Sequence, residues 1–173
     1  MKKILITGPE SSGKSTLAKK LAIHFNGGFV AEFAREYLKN KEIYTESDLL
    51  QIAKGQYDLE KNIGSKHVDF LFCDTGIEVI KIWSQEKYGS VDPEIEKLLK
   101  LANYDLVLLC EPNIPWEYDK LRENPLDRKR LFNVYSDFFL AEERTFNVIN
   151  APIESRFQQA ENYVVKAFEW EDD

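Results

Sequence analysis

Two cysteines and two histidines are all that 173 residues contain. Cys73 and Cys110 each end an apolar run and share no metal-ligand spacing, so they read as small core residues rather than a disulfide. His24 and His67 stand far apart, which excludes a histidine-rich metal site. Positive charge is in deficit: 23 Lys and Arg face 30 Asp and Glu, a formal net charge of -7. A chain whose main task is to coat nucleic acid or an acidic membrane needs the opposite balance. No apolar stretch approaches a membrane span. The first residues lead straight into a strand pattern, so a signal peptide is not expected. Repeats, low-complexity tracts and linkers are lacking as well. The expectation is one domain over 1–173 with room for a substantial core, cytoplasmic, without a membrane or nucleic-acid partner. A homo-oligomer stays open on this reading.

Apolar runs of strand length alternate with amphipathic stretches, which predicts an α/β fold: a five-stranded, mostly parallel sheet covered on both faces. The expected strands are Lys3–Thr7, Phe29–Ala31, Val68–Asp74, Tyr104–Cys110 and Phe146–Asn150. The expected helices are Ser15–Phe25, Glu32–Leu38, Thr45–Lys66, a segment through Trp83 toward Tyr88, Asp92–Leu101, one starting near Asp127, and Ile153–Phe168. Pro93 suits a first helical turn. Pro112, Pro115 and Pro125 mark an irregular segment between Glu111 and Leu126.

The first strand runs into Gly8-Pro9-Glu10-Ser11-Ser12-Gly13-Lys14-Ser15-Thr16 and then a helix. This is G-x-x-x-x-G-K-[ST] between strand and helix, the context of a phosphate-binding P-loop. Loop amides and the helix N-terminus converge on an anion. Gly8 and Gly13 allow the close approach. Lys14 reaches the β- and γ-phosphates, and Ser15 offers a hydroxyl to Mg²⁺. The site therefore calls for ATP and Mg²⁺. A guanine-nucleotide switch is excluded, because Asp74-Thr75-Gly76-Ile77 breaks D-x-x-G and no N-K-x-D follows a later strand.

In such a sheet ligands sit at the carboxyl ends of the strands. Asp74 ends an apolar strand as a Walker-B carboxylate does; the alternative is a helix cap, and Glu111 is its rival. Glu32, Arg35 and Glu36 follow the second strand, where a carboxylate can orient an acceptor hydroxyl and take its proton; Glu32 ranks first. The bland reading of the three is a solvated helix turn. Arg122, Arg128 and Arg130 suggest an arginine-bearing lid over about 116–130 that neutralises the transferring phosphoryl group, with Arg122 and Arg128 ahead of Arg130. Trp83, Tyr88, Trp116 and Tyr118 are stacking candidates, Trp116 standing out as a loop tryptophan. Arg156 opens the last helix near where an adenine would lie.

Together with these residues, Glu32-Phe33-Ala34-Arg35-Glu36-Tyr37, Phe72-Cys73-Asp74-Thr75, Trp83 with Tyr88-Gly89, Tyr104-Asp105-Leu106, and Pro115-Trp116 with Asp119 and Arg122 recur in one order. The chain resembles the ribosylnicotinamide kinase domain of NadR-type NAD-biosynthetic proteins and their small stand-alone relatives. The resemblance implies a P-loop kinase fold with a lid. It also implies phosphorylation of nicotinamide riboside by ATP, with Trp116 on the nicotinamide ring and Asp119 in acceptor binding. One departure is Gly76, where the family pattern reads Asp-Thr-Asp. No DNA-binding region precedes the P-loop and no H-x-G-H motif is present. The chain is therefore expected neither to make NAD from the mononucleotide nor to repress transcription.

Overall fold

The computed structural model describes residues 1–64, 68–118 and 126–169. Five strands form one parallel sheet: β1 (Lys2–Thr7), β2 (Gly28–Val30), β3 (Phe70–Asp74), β4 (Leu106–Cys110) and β5 (Asn147–Ile149), in the order β2-β3-β1-β4-β5. The central strand β1 aligns Ile6 with Asp74 on one side and with Leu108 on the other. A parallel sheet is covered on both faces, which is why β3 and β4 are apolar almost throughout and buried at every position.

Helices α1 (Lys14–His24) and α7 (Arg156–Phe168) cover one face, where Leu17, Leu21, Ala160 and Val164 pack on Ile4, Ile6, Phe72 and Leu108. The other face receives α4 (Ile77–Tyr88) and α6 (Arg128–Ala141), through Val79, Ile82, Tyr135 and Phe139 against Leu5, Cys73, Val107 and Leu109. A third cluster lies beside the sheet. There α2 (Phe33–Tyr37), α3 (Glu46–Gly64) and α5 (Pro93–Leu101) pack with α4 through Ala34, Leu49, Ile52, Ile80, Ile95 and Leu99. Both cysteines are buried and unpaired. Among the described residues no helix is long and apolar enough to cross a membrane.

The expected elements are present with shifted ends. α5 begins at Pro93, and Asp92 caps it by accepting from the Glu94 amide at 2.8 Å. The last helix begins at Arg156 rather than Ile153. The Ser155 amide instead bonds Pro152 O at 2.9 Å, closing a turn ahead of the helix. The helix expected near Asp127 begins at Arg128.

Candidate active site

The chain leaves β1 at Gly8 with φ +133°, and a Cβ there would lie 2.5 Å from Cys110 O. Only glycine tolerates both conditions. Gly13 ends the loop at φ +80° and gives α1 no side-chain cap, so the first-turn amides of that helix are left for an anion. Within the loop Ser12 Oγ donates to Pro9 O at 2.7 Å, and Lys14 Nζ folds back to the same carbonyl at 2.7 Å. A phosphate there would compete for that ammonium.

Two arginines from distant parts of the chain hold the loop. Arg156 is buried; its Nη1 donates to Ser12 O at 2.6 Å, Nη2 to Glu111 O at 2.7 Å and to Asn113 Oδ1, and Nε to Ala151 O at 3.1 Å. Arg128 Nη1 donates to Ser11 O and to Ile114 O, each at 3.0 Å. The Glu117 amide donates to Ser11 Oγ at 2.9 Å, and Trp116 Nε1 to Glu10 Oε1 at 3.3 Å. Four planar donors on one guanidinium fit a backbone-gripping role for Arg156.

A cavity of about 840 Å³ opens over the loop. One end is lined by Gly13, Leu17, Ile153, Arg156 and Phe157; the other by Glu32, Arg35, Tyr44, Thr75, Trp83 and Glu86. Tyr44 and Trp83 form an aromatic wall, ring centroids 6.2 Å apart and 29° from parallel, with the Lys87 ammonium 3.5 Å from the Tyr44 centroid. Glu32 pairs with Arg35 at 2.9 Å. Burial raises the Glu32 carboxyl above its ordinary value and Asp74 pushes in the same direction, while Lys14 and Arg35 oppose them. Glu32, Lys14 and Asp74 thus feel one another's charge. Asp74 is 3% exposed, with Oδ1 buried and without a hydrogen-bond partner among the described residues, while Thr75 beside it lines the cavity at φ +67°. The described residues contain no group of three His, Cys, Asp or Glu able to hold a metal. An ion there would rely on Asp74, the Ser15 hydroxyl, phosphate oxygens and water.

The loop residues Gly8, Glu10, Ser11, Ser12, Gly13, Lys14, Ser15 and Thr16 line the cavity together with Glu32, Arg35 and Arg156. Other expected residues lie elsewhere. Glu36 is exposed and off the cavity. Trp116 packs edge-on against Tyr118, with centroids 6.3 Å apart, and is not among the lining residues. Its indole N–H is engaged by the Glu10 carboxylate. Tyr88 donates to Tyr44 O at 3.0 Å and packs in the third cluster. Glu111 meets the site through its carbonyl, which accepts from Arg156, and through its charge, which Arg156 feels. Arg128 grips the loop, whereas Arg130 lines the cavity and pairs with Glu86 and Asp127, each at 2.6 Å. Asp119 and Arg122 lie outside the described residues. Sequence reasoning misses Tyr135, one aromatic among several in its stretch, and Tyr44, a lone aromatic in a stretch without periodicity. Val79, Ile82 and Trp83 share a helical i, i+3, i+4 face that signals packing as readily as ligand contact.

Comparison with known proteins adds to this geometry. "Trifunctional NAD biosynthesis/regulator protein NadR" of Escherichia coli (strain K12) is 32% identical over 141 residues, 76% of this chain and 34% of that protein. The protein of the same name from Salmonella typhimurium is 30% identical over 165 residues, 89% of this chain and 40% of that protein. The chain therefore spans well under half the length of these relatives. A crystal structure of NadR protein in complex with NR superposes with a TM-score of 0.82 at 21% identity, over 99% of this chain and 53% of that one. A deoxyadenosine kinase from M. mycoides superposes with a TM-score of 0.68 at 16% identity, over 95% of this chain and 99% of that one. Both likenesses show the fold, a P-loop kinase-type parallel sheet flanked by helices. The family described as an AAA domain matches residues 3–156. With Gly8–Thr16 folded as a P-loop at the end of the central strand, the chain belongs to that AAA-domain family of P-loop proteins.

Proposed function

We propose that this protein transfers the γ-phosphoryl group of ATP to a hydroxyl of a nucleoside-like acceptor, with nicotinamide riboside, giving nicotinamide mononucleotide, as the leading candidate. One observation carries the reading: a single cavity joins the phosphate loop to an arm with a raised-pKa carboxylate, Glu32, and an aromatic wall, Tyr44 and Trp83. A switch that merely hydrolyses ATP needs no such arm. The relatives named for NAD biosynthesis and the fold neighbour holding NR support the choice of acceptor.

In this reading Glu32 accepts the acceptor hydroxyl proton as the new O–P bond forms and the bond to the β-phosphate oxygen breaks, releasing ADP. Its raised pKa makes it a better base than an exposed carboxylate. Arg35, beside Glu32, orients the acceptor. Lys14, released from Pro9 O, stabilises the β- and γ-phosphates. Ser15 and the Asp74 oxygen that has no hydrogen-bond partner among the described residues would hold Mg²⁺, which supplies charge neutralisation on the phosphates when bound. Arg122 and Asp119, in the expected 116–130 lid, are proposed for the phosphoryl group and the acceptor. Arg156 is proposed to stay on the loop backbone beside the nucleotide.

The test is a panel of nucleosides, including nicotinamide riboside and deoxyadenosine, incubated with ATP and Mg²⁺ and scored by product mass. The expected result is one added phosphate on nicotinamide riboside. ATP hydrolysis with no phosphorylated nucleoside anywhere in the panel would reject the kinase reading.

A further inference from the structure

A buried polar chain runs along the face of β1 opposite α1 and ends beside the turn that follows β3. Lys3 pairs with Glu60, whose side chain is 1% exposed. Gln56 Nε2 and Tyr104 Oη both donate to Glu60 Oε1, at 3.3 and 3.0 Å. The Tyr104 hydroxyl then meets the backbone at Gly76: a Cβ there would overlap it and would lie 2.6 Å from Glu78 Oε2. Glu78 is itself 1% exposed, and both of its oxygens are buried beside the Thr7 hydroxyl. Gly76 is extended here, so glycine is required by the volume already occupied and not by its dihedral angles.

That volume matters because of what precedes it. Thr75 sits at φ +67°, a left-handed conformation that a β-branched residue holds only where its surroundings leave no alternative. Its amide bonds Ile6 O at 2.9 Å, which fixes the side toward β1. The side toward α4 is fixed at Gly76. We propose that Glu78 and Tyr104 are positioning residues that clamp Gly76 from α4 and from the lead into β4, and so hold the Asp74–Thr75–Gly76 turn in register with the phosphate loop. This rests on the reading above only in taking Asp74 as the carboxylate that serves Mg·ATP.

Burial in the clamp favours the neutral acid form of Glu78. Burial pushes its carboxyl up to about 7. The groups facing it are Thr7 on β1, Glu60 on α3, Cys73 on β3, Tyr104 before β4, Tyr135 on α6 and Arg144 after α6. The backbone amide at Glu78 and the Thr7 hydroxyl, by hydrogen bonding, and then Arg144, by its charge, favour the ionised form against burial. A carboxyl raised in the folded state contributes its full share of stability below the ordinary value of 4.5, and that share is lost as pH rises to about 7.

The experiment uses the full chain and reads binding of Mg²⁺ with a non-hydrolysable ATP analogue by titration calorimetry, beside analogue binding in EDTA and thermal unfolding across pH. Glu78→Leu is expected to weaken the Mg²⁺-dependent part by about tenfold or more while binding in EDTA stays near wild type, because the loop itself is untouched. Glu78→Gln keeps shape and neutrality. It is expected within about threefold of wild type, with a shallower loss of stability between pH 4.5 and about 7. Tyr104→Phe removes the hydroxyl against Gly76 and is expected to weaken the Mg²⁺-dependent part by roughly threefold. Wild-type Mg²⁺ dependence in folded Glu78→Leu would overturn the proposal, and so would a Gln variant that falls as far as Leu. If Glu78→Leu does not fold, unchanged Mg²⁺ dependence in Tyr104→Phe overturns it instead. The readout is nucleotide binding, so a wild type that binds Mg·ATP and phosphorylates no nucleoside would refute the kinase reading and leave this test intact.

Discussion

The two ends of the cavity are built differently. The phosphate end is made of consecutive residues, Gly8–Thr16; Ser12 and Lys14 serve the Pro9 carbonyl from within, and Arg128, Arg156 and the Glu117 amide grip Ser11 O, Ser12 O and Ser11 Oγ from outside. The other end, proposed above for the acceptor, has no local motif. It is assembled from Glu32 and Arg35 around α2, Tyr44 before α3, Thr75 after β3 and Trp83 on α4. The first end binds a group that is the same in every nucleoside triphosphate, so backbone amides at a fixed spacing suffice. The second must recognise one acceptor among many, and side chains from several elements supply that.

This contrast can be broken most sharply at the loop. Lys14→Ala is expected to abolish turnover while leaving the fold intact, a loss on the order of 3 to 5 kcal/mol in transition-state stabilisation. Undiminished turnover in the folded variant would remove the phosphate end from the mechanism. Next comes Asp74→Asn, which keeps a side chain able to cap α4 but removes the charge. Activity should fall by about a hundredfold or more, and its Mg²⁺ requirement should rise. Retention of both would return Asp74 to a capping role and turn attention to Glu111.

The smallest expected effect sharpens the acceptor end. Trp83→Ala should weaken acceptor binding by about tenfold, since stacking contributes ~0.5 to 1.5 kcal/mol beyond burial, and leave ATP binding nearly unchanged. Trp116→Ala should do the reverse in kind. It removes the indole bond to Glu10 beside the loop, so its effect, roughly twofold to fivefold, should fall on ATP. Calorimetry with both ligands on both variants separates them. A Trp116 variant that loses the acceptor and keeps ATP would place the platform back on the loop tryptophan.

Legibility followed the same division. The β1–loop–α1 unit could be read from residues 4 to 25 because the pattern, the glycines and the lysine are contiguous and each has one local task. Asp74 could be read as the end of an apolar strand. Glu32 could be read as the first acid past β2, and the structure sets it electrostatically against Lys14 and Asp74. The orientation of Trp116 was not legible, because a loop tryptophan carries no sign of which way its ring faces. Its N–H pairs with a residue 106 positions away. Tyr44 was invisible for the opposite reason: its stretch has no periodicity, and only the packing of α3 on α4 brings it to Trp83.

The amino-acid sequence by itself determined the alternation of strands and helices, the place of the phosphate loop and the sign of its charge. Those properties depend on residues near one another in the chain, through hydrogen-bond periodicity, glycine geometry and a fixed motif spacing. Only the tertiary structure decided which arginine grips the loop and which faces the cavity, which aromatics form the wall, and why residue 76 is glycine. Arg156 lies 144 residues from the carbonyl it holds, and the space beside Gly76 is filled by Tyr104 and Glu78 from two other elements. Such contacts are set by how whole layers pack, and close-packed interiors leave a side chain only the volume its neighbours have not taken.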